Sequence, residues 1–225
     1  MTRQKAIVGK PVAQGSSVPS NIASTVEFTK RRELIRMRSE IERLREENER
    51  LQALAYRDPL TGLRNRRCFG ERLNEELCRL KRNPHGALAV ICIDVNSFKL
   101  LNDTQGHAAG DAALIAVGRV LEMLIRAEDL VCRLGGDEFA VLLPDTLHAQ
   151  AEIVVERIRS HMPALAGVGL GRRALSVGVA SWQPGDDEIR LLNRADEQMY
   201  ADKKHAKAEG TDVPAHLSAF VVSAA

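Results

Sequence analysis

Two carboxylate positions and a pair of glycines stand where chemistry could be done. Asp94 closes a nearly continuous apolar run, ALAVICIDV (87–95), and Asp137 with Glu138 opens a second one. A carboxylate at the mouth of a core strand is costly unless it is paired or bound to a cation. Two of them on neighbouring strand ends, open to solvent on one side, make a hard-oxygen site suited to Mg²⁺. That ion keeps waters and binds through one or two carboxylates plus substrate phosphates. Gly135 and Gly136 precede the acids. Without Cβ atoms the backbone turns tightly there and lets a phosphate approach. A hairpin with Gly-Gly at its tip and two solvated acids accounts for the same four residues, and the residues alone leave both readings open.

Other side chains extend the first reading. Lys99 lies five residues past Asp94, and Lys203, Lys204 and Lys207 close the last expected helix. Cations at a helix C-terminus also offset the dipole, so these lysines have a second explanation. Asn102 and Asp111 have a donor–acceptor capacity suited to a guanine edge. Asp111, near an expected helix start, equally suits dipole compensation.

The elements that would position these groups alternate along the chain. Residues 1–24 mix Gly, Pro and Ser without periodicity and read as a flexible leader. Residues 25–57 read as a stalk helix. From Thr25 to Tyr56 there is neither Gly nor Pro, and Leu34, Met37, Ile41, Leu44, Asn48, Leu51 and Ala55 alternate spacings of three and four. This is a heptad seam. In a parallel pair Glu33 faces Arg38 of the second helix and Glu40 faces Arg45, while Asn48 at one a position fixes register. A parallel homodimer through residues 34–55 follows; a lone amphipathic helix packed on its own domain is the alternative.

Beyond Pro59 and Gly62 the pattern becomes that of one α/β or α+β domain, residues 58–210. A helix carries Phe69, Leu73, Leu77 and Leu80 on one face, and residues 87–95 suit a strand buried on both faces. A short helix and a loop precede a long helix expected from about Ala112 to Arg126. Asp145 or Thr146 is expected to cap a helix with Ile153, Val154 and Ile158 inward. Leu175, Val177 and Val179 alternate as a strand, and a final helix runs from about Glu188 to Lys207. Residues 211–225 form an unassigned tail.

Composition narrows the function. The chain has 225 residues and a net charge of +2, without the polybasic field of a nucleic-acid binder. Its four cysteines, Cys68, Cys78, Cys92 and Cys132, lack CxxC spacing and read as reduced thiols. No signal peptide or bilayer-spanning stretch is evident, and a soluble cytoplasmic protein is expected.

Taken together, DPLTGLRNRR (58–67), DVNSFKLLNDTQGHAAGD (94–111), RLGGDEF (133–139) and RADEQMYADKK (194–204) resemble, in order, the motifs of the GGDEF family of diguanylate cyclases. The resemblance covers about two-thirds of the chain. It implies a palm-like five-stranded sheet with surrounding helices, and a reaction in which two GTP condense to cyclic di-GMP with loss of two pyrophosphates. It implies Mg²⁺ (or Mn²⁺) on Asp94, Asp137 and the Val95 carbonyl, with help from Glu138. Asp137 corresponds to the proton acceptor for the attacking 3′-hydroxyl, and Lys99 to the residue that offsets charge on the phosphates. Asn102, His107 and Asp111 match substrate-binding positions, Gly135 and Gly136 the phosphate approach, and Lys203 and Lys207 triphosphate contacts.

The resemblance extends to regulation. Arg126 and Asp129 match the family's RxxD product-inhibition site, with Arg157 where a second arginine contributes; a surface Arg–Asp pair at a helix end fits the same residues. Each domain binds one GTP, so the stalk acquires the task of bringing two domains together, with a higher oligomer also open. No sensory domain fits in residues 1–57, so a regulatory protein on the stalk is expected. Three departures stand out: Leu134 replaces an aromatic residue, Asn96 stands where Asp is frequent, and Lys207 replaces Arg, losing bidentate capacity but keeping charge. A catalytically weak domain that only binds GTP or cyclic di-GMP is the alternative; intact Asp94, Lys99, Asp137 and Glu138 speak against it.

Overall fold

The structure is a computed structural model that describes residues 20–208. The expected tail, 211–225, and residues 1–19 of the expected leader lie outside the described residues. The first helix, α1, runs Ser20–Tyr56 and so takes in the last five residues assigned to the leader. Nothing between Ser20 and Thr25 is a Gly or Pro that would stop it. By its internal contacts the chain falls into two units, divided between Arg50 and Leu51.

Along α1 the expected seam is bare. Leu34, Met37, Ile41, Leu44 and Leu51 are each between 49% and 55% exposed. Glu40, expected to reach across to a second helix, bonds Arg43 of its own helix at 2.7 and 3.1 Å.

From Leu51 onward the elements build a five-stranded mixed sheet. They are β1 (Arg64–Asn65), α2 (Arg66–Arg82), β2 (Leu88–Val95), α3 (Phe98–Gln105), α4 (His107–Leu124), β3 (Leu130–Gly135), β4 (Glu138–Pro144), α5 (His148–His161), a 3₁₀ turn (Met162–Val168), β5 (Leu175–Ser181) and α6 (Glu188–Ala208). The order across the sheet is β1-β3-β4-β2-β5. Only β1–β3 is parallel. All eight residues of β2 are buried, as its continuous apolar run requires. One sheet face packs on Leu114 and Leu121 of α4 and Val155 and Ile158 of α5. The other packs on Phe69 and Leu73 of α2 and Leu191 and Ala195 of α6. Of the α/β and α+β arrangements expected from the sequence, the α+β one is observed.

Three local expectations change. The long helix starts at His107, because the single hinge residue Gly106 (φ 84°) joins it directly to α3; His107 and Asp111 therefore sit on a helix. Neither Asp145 nor Thr146 caps α5. Asp145 takes a left-handed φ of 49°, the Thr146 hydroxyl bonds the Pro144 carbonyl, and the Gln150 side chain accepts from the Leu147 amide instead. Ile153 is 67% exposed; Ala151, Val155 and Ile158 form the buried stripe.

Candidate active site

The signature turn is built differently from a simple Gly-Gly tip. Gly135 pairs with Glu138, so the two loop residues are Gly136 and Asp137, and a bulge falls at Leu134. Gly135 (φ 144°) and Gly136 (φ 55°) both occupy conformations that disfavour a side chain. Asp137 therefore sits in the turn itself. Its carbonyl accepts from the Val95 amide at 3.1 Å, which fastens the turn to the end of β2. Asp94 lies opposite Glu138 in the β2–β4 register and opposite Ser176 in β2–β5.

Asp94 is buried at this strand end, its side chain 11% exposed, and Lys203 Nζ donates to its Oδ1 at 2.6 Å. The ammonium offsets the cost of taking this carboxylate out of water. Lys203 in turn lines a cavity of about 380 Å³ together with Val95, Lys99, Asp137 and Lys207. Five of the residues expected from the sequence thus share one cavity at the end of β2, three of them lysines.

Glu138 goes elsewhere. Its carboxylate lies 3.4 Å from Arg66 Nη2, and it lines a separate cavity of about 290 Å³ with Arg66, Cys92 and Asp196. Among the described residues no three or more His, Cys, Asp and Glu side chains gather as a metal cluster. The donors near the end of β2 are two carboxylates and a carbonyl, a set that fits an ion keeping several waters.

Asn102, His107 and Asp111 flank the α3–α4 joint. The Gly106 amide donates to the Asn102 carbonyl at 2.8 Å. Gly110 lies so close to Asn102 that a Cβ there would overlap its Oδ1. The missing side chain of Gly110 thus gives Asn102 its place, and Asp111 follows directly. His107 and Asp111 are exposed.

Arg126 and Asp129, two of the three residues expected from the resemblance to form a product-inhibition site, meet. The Arg126 amide donates to Asp129 Oδ2 at 2.9 Å, and the Asp129 amide to the Arg126 carbonyl at 3.2 Å, closing the turn between α4 and β3. Burial pushes the Asp129 carboxyl up from its ordinary value, against the Arg126 amide and the charges of Arg126 and Arg157.

Two positioning residues escaped the sequence reading. Arg133 pairs with Asp58 at 3.0 Å and donates to the Gly136 carbonyl at 2.7 Å. Asp202, one residue before Lys203, accepts from the Val177 amide at 2.9 Å and from Arg173 at 3.0 Å. Both lie inside quoted motifs, but only as charges between better-marked neighbours. Asn96, the departure from Asp, is buried and serves structure: Ser176 donates to its Oδ1 and its Nδ2 donates to the Arg173 carbonyl, each at 2.7 Å.

The profile of the diguanylate cyclase GGDEF domain matches residues 55–209. The chain belongs to the GGDEF family. Among curated relatives, the response regulator PleD of Caulobacter vibrioides is 43% identical over 165 residues, 70% of this chain and 35% of PleD. The chain thus spans about a third of that relative's length. Two solved structures are similar over 82% of the chain. One is the coiled coil and GGDEF domain of DgcB from Caulobacter crescentus in complex with c-di-GMP, at a TM-score of 0.70, 27% identity and 97% of that chain. The other is the diguanylate cyclase SiaD in complex with its activator SiaC from Pseudomonas aeruginosa, at 0.62, 33% and 74%. Among the described residues of this GGDEF chain, no helix is long and apolar enough to cross a membrane.

Proposed function

We propose that this chain is a diguanylate cyclase that condenses two GTP into cyclic di-GMP and two pyrophosphates. The observation that carries the reading is the shared cavity of Val95, Lys99, Asp137, Lys203 and Lys207 beside buried Asp94. Three ammonium groups around one cavity suit a triphosphate, and a carboxylate among them suits proton transfer. The 3′-oxygen of one GTP bonds the α-phosphorus of the other, pyrophosphate leaves, and Asp137 accepts the hydroxyl proton. Lys99, Lys203 and Lys207 hold the phosphates and offset their charge. The backbone at Gly135 and Gly136 leaves room for them.

Asp94, Asp137 and the Val95 carbonyl would hold Mg²⁺ (or Mn²⁺), with Glu138 joining once it leaves Arg66. The ion supplies charge neutralisation on the phosphate oxygens. Asn102 and Asp111 read the guanine edge, and His107 borders it. Arg126, Asp129 and Arg157 bind the product and inhibit. GTP as substrate and four unbridged cysteines suit the cytoplasm.

One domain binds one GTP, so two copies must meet. The bare apolar seam of α1 supports a parallel homodimer through residues 34–55. A similar cyclase is solved with an activator protein. A regulatory partner on the stalk of this chain follows the same logic. Incubation with GTP and Mg²⁺ tests the reaction: cyclic di-GMP is expected from the wild type and none from Asp137→Ala. Equal product from both would overturn the reading.

A further inference from the structure

Asp94 already holds a cation of the protein's own. The Lys203 ammonium sits 2.6 Å from its Oδ1, with side-chain exposures of 28% for Lys203 and 11% for Asp94. The ammonium offsets the charge of a carboxylate taken out of water. A divalent ion brought to Asp94 would stand close to that ammonium, and the two cations repel each other. Yet Lys203 also borders the cavity shared with Lys99 and Lys207. Its side chain therefore has two destinations within reach.

We propose that Lys203 is an exchangeable counter-ion. It neutralises Asp94 while the site is empty, and moves its ammonium into the cavity, toward a polyphosphate, when a divalent ion takes Asp94. This rests on the proposed roles of Asp94 as metal ligand and of the lysines as phosphate contacts. The exchange makes the protein's response to metal and nucleotide cooperative. A divalent ion alone must displace the Lys203 ammonium and binds weakly; a polyphosphate that draws Lys203 away takes that competing charge off the carboxylate. The helix need not move. Asp202, next in the chain, is held to the Val177 amide at 2.9 Å and to Arg173 at 3.0 Å, so α6 is fastened at this point. Only the four-carbon stem of Lys203 has to turn. Lys207, one helical turn on, faces the same cavity. It is an internal control for a general field effect.

The test uses the full chain and Mn²⁺ alone, without nucleotide, with binding read by electron paramagnetic resonance. An opposite charge this close biases a carboxylate by roughly tenfold or more. Lys203→Met is therefore expected to bind Mn²⁺ roughly tenfold tighter than wild type, with Lys203→Gln as a second variant if the first folds poorly. Lys203→Arg and Lys207→Met should stay near wild type, and Asp94→Asn should abolish binding. Unchanged affinity in both neutral Lys203 variants, or equal tightening in Lys207→Met, would overturn the exchange while leaving the metal site standing. Mn²⁺ binding that survives Asp94→Asn would instead remove the metal-site reading itself.

Discussion

Arg133 and Asp58 tie two motifs of the chain together. Arg133 Nη1 meets both Asp58 oxygens, at 3.0 and 3.2 Å, while Nε and Nη2 donate to the Gly136 carbonyl at 3.0 and 2.7 Å. One guanidinium thus joins the turn just beyond α1 to the turn that carries Asp137. Burial pushes the Asp58 carboxyl up. Hydrogen bonds from the Thr61 hydroxyl and amide and from Arg133 outweigh it and hold the group below its ordinary value of 3.8.

Asp58→Asn should therefore lower thermal stability by about 1.5–3 kcal/mol, the scale of a hydrogen bond to a charged group. The sign with pH follows from a depressed carboxylate: its stabilisation is complete above pH 3.8 and is lost as pH falls through the folded value. The gap in melting temperature between wild type and Asp58→Asn should be full at neutral pH and close below 3.8. A gap that widens in acid would contradict this.

Gly178 is where α6 lies on β5. A Cβ there would run into the Ala195 carbonyl and the Met199 amide, both backbone atoms. Gly178→Ala should cost about 1–3 kcal/mol as overpacking. It should also raise KM for GTP, because α6 carries Lys203 and Lys207. Melting curves and steady-state kinetics read the two effects separately; a variant with wild-type values in both would show that α6 yields without consequence.

Gly110→Ala acts on the proposed guanine contact without touching the phosphates. The new methyl displaces the Asn102 side chain. Loss of a base-recognising hydrogen bond should weaken GTP binding roughly tenfold. Discrimination of GTP against ATP should fall in parallel, and unchanged discrimination would take Asn102 out of base recognition.

Much of this site was legible in sequence, and the reasons differ by residue. Asp94 and Asp137 betray themselves because carboxylates beside apolar runs need a partner. Phe69, Leu73, Leu77 and Leu80 follow helical period onto one face, and the structure buries all four. The start of α4 was hidden because one left-handed glycine, Gly106, links two helices without a loop. The outward position of Ile153 has no local mark, because the stripe on α5 is set by Ala151 and Val155, and a small alanine gives little periodic signal. The divergence of Glu138 toward Arg66 depends on a contact 72 residues apart in the chain, which no local pattern encodes.

Arg126→Ala should relieve product inhibition while leaving the initial rate unchanged. Rates measured with added cyclic di-GMP check this, and an unaltered inhibition curve would remove the site around Asp129.

The stalk makes its own prediction. Ile41→Asp puts a charge into the exposed seam and should convert the protein to monomer by light scattering. GTP binding per domain should persist while activity falls by roughly tenfold or more, the scale of lost effective concentration. Full activity in a monomeric variant would separate the seam from catalysis.

In the proposed reaction each chain carries half of a two-GTP centre. Its most direct test is to measure cyclic di-GMP and pyrophosphate together across a range of protein concentrations, with GTP and Mg²⁺ saturating. Two pyrophosphates per cyclic di-GMP are expected, with activity per chain rising with concentration to a plateau as dimers form. No cyclic di-GMP at concentrations where the protein is dimeric would contradict the account.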